Sequence, residues 1–296
     1  MEFERLSSCR LCPRGCGVNR LNKDIGYCKQ TDTVKIGRYA LHFWEEPSIS
    51  GDKGSGTVFF SGCNLGCVFC QNYKISTQNS GKNITINELS DIFLDLQNQN
   101  AHNINLVTPT HYIPQIIKAL EIAKSSGLNI PVVYNCGGYE SVEALKMLDG
   151  LIDIYMPDFK YFDDKYAIKY SNAPNYSYHV KMAIDEMFLQ VGKNKFDKEG
   201  IMKKGVIIRH MMLPGLLFDS KKIVDYIYDR FNDDVYISIM SQYTPMKWVE
   251  NYPEINKKVS KKYYQSLVDY ALNSGVKNAY IQDGEAADES FIPEFY

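Results

Sequence analysis

Three cysteines within eight residues, Cys63, Cys67 and Cys70, stand directly behind the apolar run Thr57-Val58-Phe59-Phe60. No other stretch of the chain limits its fold as tightly. A strand that opens at once into a C-x3-C-x2-C loop delivers three thiols together and is suited to holding a metal cluster. Gly62 and Gly66 let the backbone wrap closely around the ligands and bring amide N–H groups toward a negatively charged centre. Three thiolates can ligate three irons of a four-iron cluster and leave the fourth open. An open metal position marks a reactive site, by analogy with zinc. A zinc site or a disulfide loop is the competing reading, and the placement of three cysteines right after a strand disfavours both.

The chain has 296 residues, 45% of them hydrophobic, enough for one large core or a core with a small appendage. A net charge of −2 gives no argument for a nucleic-acid or acidic-membrane surface. No apolar run is long enough to span a bilayer, and Met1-Glu2-Phe3-Glu4-Arg5 lacks the basic-then-apolar pattern of a signal peptide. The eight cysteines are therefore expected to be reduced in a cytoplasmic setting, available as metal ligands rather than paired.

Seven of those cysteines lie in the first 70 residues. The eighth, Cys136, reads as a packed small hydrophobe. Cys9, Cys12, Cys16 and Cys28, spaced C-x2-C-x3-C-x11-C among Gly and Pro, read as a small metal-stapled module. So few residues cannot bury a core unaided. Two ligands compete for it: a closed tetrahedral zinc ion, which the C-x2-C knuckle favours, or an auxiliary iron–sulfur cluster passing electrons to the first loop. The expected division is a cysteine-rich module with its connecting segment over 1–54 and a larger body over 55–296.

Residues 33–39 alternate as a strand does, and 42–51, rich in turn residues, read as a loop. Beyond the cysteine loop, Thr85 and Glu88 form a capping box for a helix over about 85–97, with Leu89, Ile92, Phe93 and Leu96 on one face. Strands are expected at 104–108, 131–135, 152–156, 206–210, 235–240 and 279–282. Helices are expected near 114–125, 141–148, 185–191, 221–231 and 260–273, and an exposed charged turn at 194–204. The alternation predicts βαβ units, hence an α/β fold: a partial (β/α)6-type TIM-like barrel with a small N-terminal cysteine-rich metal-binding module. Barrel chemistry sits at the C-terminal ends of the strands. Those ends carry Thr110-His111, Asn135, Asp158 with Lys160, and Arg209-His210.

Cys63, Cys67, Phe69 and Cys70 form C-x3-C-x-aromatic-C, which resembles the signature of the radical S-adenosylmethionine (radical SAM) enzymes. The closest resemblance within them is to pyruvate formate-lyase activating enzyme and a group of uncharacterised activase-like iron–sulfur proteins. The resemblance implies a 4Fe-4S cluster on Cys63, Cys67 and Cys70, with S-adenosylmethionine chelated to the open iron. One electron then cleaves the sulfonium, and the 5′-deoxyadenosyl radical abstracts hydrogen from a substrate. It also implies an oxidoreductase fed by an electron donor such as flavodoxin or ferredoxin, with a glycyl radical enzyme as protein substrate.

Site residues follow from the same resemblance. Asp158-Phe159-Lys160 resembles the activases' D-x-K strand end beside the cofactor's carboxylate, and Arg209 lies on a strand resembling their Arg-containing one that ends in Pro-Gly, here Pro214-Gly215. The family's Gly-Gly-Glu is replaced by Pro109-Thr110-His111, so Thr110 and His111 become the candidates for the cofactor's amino group. Asn135-Cys136-Gly137-Gly138 replaces Asp-Thr-Asn-Gly, which leaves Asn135 as a candidate contact and weakens the family's cation site. Two alternatives stand beside an activase. One is radical modification of a small molecule, peptide or RNA held by Tyr39, Phe43, Trp44, Tyr161 and Tyr243. The other is a non-catalytic iron–sulfur electron-transfer protein.

Overall fold

The computed structural model describes residues 2–282 and 295. Its strands are β1 (Val34–His42), β2 (Ser55–Phe60), β3 (Lys82–Ile84), β4 (Ile104–Val107), β5 (Val132–Cys136), β6 (Ile154–Pro157), β7 (Lys195–Phe196), β8 (Met202–Met211), β9 (Tyr236–Met240) and β10 (Ala279–Ile281). They form one sheet in the order β10-β9-β8-β6-β5-β4-β2-β1-β3, with β7 paired to β8 off that path. All pairings from β2 through β4, β5, β6, β8 and β9 to β10 are parallel, which the intervening helices make possible. β1 and β3 add antiparallel strands at the β2 edge. This is the partial barrel expected from the alternation.

Helix Ile86–Asn98 begins with both bonds of the Thr85–Glu88 capping box and buries Leu89, Ile92, Phe93 and Leu96. Along the strands the side-chain period of two sorts residues between two faces. Tyr134, Tyr155 and Ile208 join the large core cluster with the helices, whereas Val133, Ile154, Met156 and Ile207 form a separate, smaller cluster with Ile49. Asn135 and Arg209 stand two residues beyond Val133 and Ile207, so they share this inner face. A floor of apolar side chains thus underlies a polar layer. Among the described residues no helix is long and apolar enough to cross a membrane.

Three local expectations change. The segment 42–51 is not simply a loop: β1 runs through His42, and Pro47–Ser50 forms a helical turn that carries Ile49 to the inner cluster. The Tyr280 hydroxyl of edge strand β10 donates to Ser48 Oγ at 2.7 Å, tying this turn across the gap of the partial barrel. Segment 194–204 contains β7 and the start of β8, paired antiparallel, with Asn194 Oδ1 accepting from Val206 N–H at 2.7 Å. The helix expected at 185–191 is the end of the longer Tyr176–Val191, preceded by Asp164–Ser171, whose N-cap Asp163 accepts from Lys165 N–H.

Candidate active site

The cysteine loop leaves β2, every residue of which is buried. Gly62 has φ +84°, and a side chain there would also strike the Cys28 carbonyl at 2.6 Å. Gly66 is required for closeness alone, because a Cβ would collide with the Tyr27 hydroxyl. Each cysteine sulfur meets a polar group. Leu65 N–H donates to Cys63 Sγ at 3.3 Å, Ser171 Oγ donates to Cys67 Sγ at 2.9 Å, and Cys70 Sγ lies 3.2 Å from Ser76 Oγ. Burial pushes all three thiols up, Cys70 to about 11, while Lys160 acts in the opposite direction on each.

Bare thiols here stay protonated, and cationic iron is what converts them to thiolates. Among the described residues no three Cys, His, Asp or Glu side chains gather closely enough to hold one metal ion. A multi-iron cluster, which takes each thiolate on a different iron, needs a wider set. The donor set, spacing and polar surroundings therefore fit a cluster.

Facing the loop is a buried charge network from the strand ends. Asp158 Oδ2 meets Lys160 Nζ at 2.5 Å, and its Oδ1 accepts from Arg209 Nε at 2.9 Å. Arg209 also reaches Glu45 Oε2 at 3.2 Å and donates to Asn135 Oδ1 at 2.5 Å. Glu45 Oε1 accepts from Asn105 at 3.1 Å and Asn135 at 3.4 Å. Burial alone would raise the Asp158 carboxyl, yet Arg209 and Lys160 hold it below its ordinary value. Burial dominates at Glu45, which is raised despite Arg209. Burial likewise opposes the Lys160 charge, but Asp158 and Cys67 keep the ammonium above its usual range.

These groups share a cavity of about 240 Å³. Cys67, Cys70, Asn135, Asp158, Lys160 and Arg209 line it, so six of the residues singled out in the sequence converge. Cys63 sits behind them in the same loop, with its sulfur under the Leu65 amide. Trp44 and Tyr243 also line the cavity, whereas Tyr161 is buried with its hydroxyl 2.7 Å from Ser171 Oγ, and Tyr39 and Phe43 lie off the lining. The sequence reading missed Glu45, Gln71 and Asn72, which complete the wall. An acid pair inside the aromatic stretch Phe43-Trp44-Glu45-Glu46 was the available signal for Glu45.

Neither the Thr110 nor the His111 side chain lines the cavity. The short 3-10 turn Thr110–Tyr112 winds them into buried positions. Thr110 Oγ1 donates to Glu140 at 2.8 Å, and His111 Nε2 lies 2.8 Å from the Ser61 carbonyl oxygen. Burial, helped by Arg20, pushes His111 down to about 3, so the neutral ring donates from Nε2. Glu140 is itself raised to about 7 by burial, against hydrogen bonds from Thr110 and Tyr134. Cys136 is buried and outside the lining.

Cys9, Cys12, Cys16 and Cys28 lie outside the cavity, and their segment packs on the outer side of the loop, the Cys28 carbonyl against Gly62. They are free thiols and are not drawn to single-ion spacing either, so neither the zinc ion nor the auxiliary iron–sulfur cluster read from their spacing finds support here.

The model of the Radical SAM superfamily matches residues 57–227, spanning the cysteine loop and the strand ends that face it. This chain belongs to the radical SAM superfamily. Members of the superfamily are enzymes, and membership implies a 4Fe-4S cluster and S-adenosylmethionine. Uncharacterized protein MJ0674 of Methanocaldococcus jannaschii is 30% identical over 274 residues, covering 89% of this chain and 74% of the relative. Among solved structures, Streptococcus suis SuiB bound to S-adenosylmethionine is similar, with TM-score 0.51 and 14% identity over 76% of this chain and 49% of that one. SuiB bound to the precursor peptide SuiA gives TM-score 0.52 and 14% identity over 76% and 47%. Native anSMEcpe with bound AdoMet gives TM-score 0.50 and 14% identity over 75% and 61%. At these identities the likeness is one of fold. The chain spans about half the length of SuiB.

Proposed function

We propose that this radical SAM protein is an activating-enzyme-type oxidoreductase that takes a hydrogen atom from a glycine in a polypeptide loop. The observation that carries the reading is the single cavity shared by Cys67, Cys70 and the Asp158–Lys160–Arg209 network. A cluster held by Cys63, Cys67 and Cys70 would supply the electron for reductive cleavage of S-adenosylmethionine. The protein's own residues position the cofactor. Lys160 is an ammonium held in place by Asp158, which suits a carboxylate ligand, and Asp158 is in turn fixed by Arg209. Asn135 accepts from Arg209 and lines the same wall. Glu45 closes the far side of Arg209, and Asp158, Glu46 and Glu45 together hold the guanidinium charged against burial.

Support for a polypeptide substrate comes from the exposed edge of the cavity. Trp44 lines it and is 65% exposed, beside Phe43 at 49%. Such a rim suits side chains of a partner loop. A reduced flavodoxin or ferredoxin in the cytoplasm is the proposed source of electrons. A second reading, modification of a peptide rather than activation of an enzyme, draws on the likeness to SuiB, solved with its precursor peptide.

Anaerobic protein reconstituted with iron and sulfide, given a strong reductant, is expected to form 5′-deoxyadenosine from S-adenosylmethionine. Addition of a glycyl radical enzyme with α-deuterated glycine should move deuterium into 5′-deoxyadenosine and produce a glycyl radical signal in electron paramagnetic resonance. Cofactor cleavage with no transfer from any such partner, but with transfer from a peptide, would replace the first reading by the second.

A further inference from the structure

Arg20 is 0% exposed, yet it has no carboxylate partner among the described residues. Its guanidinium donates to the Thr31 carbonyl at 3.1 Å, to the His111 carbonyl at 2.6 Å and to Cys9 Sγ at 3.8 Å. Arg14, between Cys12 and Cys16, is half-buried. Its Nε donates to the Asn64 carbonyl at 2.9 Å, its plane stacks 3.6 Å from the Tyr27 ring centre, and its buried Nη2 has no partner. A buried cation without a counter-charge costs several kcal/mol, on the order of the penalty for one desolvated ion. Arg20, beside Cys9, calls for an anion that the side-chain acids of the described residues do not supply.

The cysteines of this segment are arranged to carry it. The backbone amides of Arg14 and Gln30, each two residues along the chain, favour the charged forms of Cys12 and Cys28 against the effect of burial. In the catalytic loop Leu65 N–H donates to Cys63 Sγ at 3.3 Å, and the Asn72 amide favours the charged form of Cys70 in the same way. Tyr27 N–H adds a bond to Cys16 Sγ at 3.4 Å. Amide donors aimed at sulfur stabilise metal thiolates. As in the catalytic loop, no three of these cysteines reach single-ion spacing.

We propose that Cys9, Cys12, Cys16 and Cys28 hold a second iron–sulfur cluster, whose negative charge is met by Arg20. The inference rests on the superfamily assignment only for the neighbouring centre, and it does not depend on the activase reading. Its place in the molecule is that of a redox centre. Cys16 reaches the surface, while the Cys28 carbonyl and the Tyr27 hydroxyl press on Gly62 and Gly66 of the catalytic loop. A reduced flavodoxin- or ferredoxin-class donor supplies one electron to the outer cluster, which passes it to the inner one. No bond forms or breaks in that exchange.

The test uses the full chain with Cys63, Cys67 and Cys70 all replaced by Ala, reconstituted anaerobically with iron and sulfide. About four irons and four sulfides per chain are expected to remain, and further replacement of Cys12 and Cys28 by Ala should remove them. Intact protein should hold about eight irons. Zinc in place of iron, or only about four irons in intact protein, would overturn the proposal. In the triple variant, Arg20→Gln should shift the midpoint potential to a more negative value, since a nearby cation favours the reduced, more negative cluster. A purely structural arginine would leave that potential unmoved, and an unmoved potential would remove Arg20 from the charge balance.

Discussion

At the cavity, Arg209 and Lys160 are buried beside acids that the chain itself provides, Asp158 and Glu45. On the outer side of the same cysteine loop, Arg20 is buried beside Cys9, and no carboxylate meets it among the described residues. The difference separates two kinds of site. The cavity balances its own charge and can present a polar wall to a small ligand, whereas the N-terminal loop leaves Arg20 without a counter-charge among the described residues. Backbone contacts then join the two, since both glycines of the catalytic loop are needed to let the N-terminal segment approach.

The largest expected effect is on chemistry. Cys67→Ala should abolish 5′-deoxyadenosine formation; retained cleavage would break the assignment of the loop. Asp158→Ala should make the cavity resemble the N-terminal site by stranding Lys160 and Arg209. It is expected to cost about 3–5 kcal/mol in denaturant unfolding, and a loss below about 1 would show that water or Glu45 already compensates them.

The next effect is a pH dependence on the strand that carries Arg209. His210 turns the other way, with Nδ1 2.7 Å from the Phe159 carbonyl oxygen and Nε2 2.8 Å from Ser220 Oγ. Burial pushes it down to about 4, against the Phe159 bond and the Asp158 charge. The unfolded chain therefore binds more protons between about pH 6.5 and 4. Stability is complete above pH 6.5 and falls as pH drops through that window, by about 3 kcal/mol in total. His210→Gln should flatten this part of a stability–pH curve; an unchanged slope would assign it to other groups.

The smallest effect probes the contact between the two loops. Gly66→Ala should cost about 1–3 kcal/mol by pushing on Tyr27. Adding Tyr27→Phe, which removes the hydroxyl in the way, should recover part of it. An Ala variant as stable as the parent would show that the N-terminal segment moves freely over the loop.

Much of the site was legible because it is local in the chain. Cys63, Cys67 and Cys70 share one loop, and Asp158 and Lys160 share one strand end, so spacing alone brings each set together. Thr110 and His111 lie at the same strand ends but off the cavity lining, because a single 3-10 turn decides which way side chains leave. The apolar floor was legible as strands, though not as a face distinct from the helix-packed one.

The order of apolar and polar residues by itself determined a metal-binding loop mounted on an α/β barrel, since strand period, capping and cysteine spacing act over a few residues. Only the tertiary structure decided how charge is balanced. Glu45 meets Arg209 across 164 residues of sequence, and Arg20 finds the His111 carbonyl across 91. Burial sets the cost of an unpaired charge, and burial is a property of the packed whole.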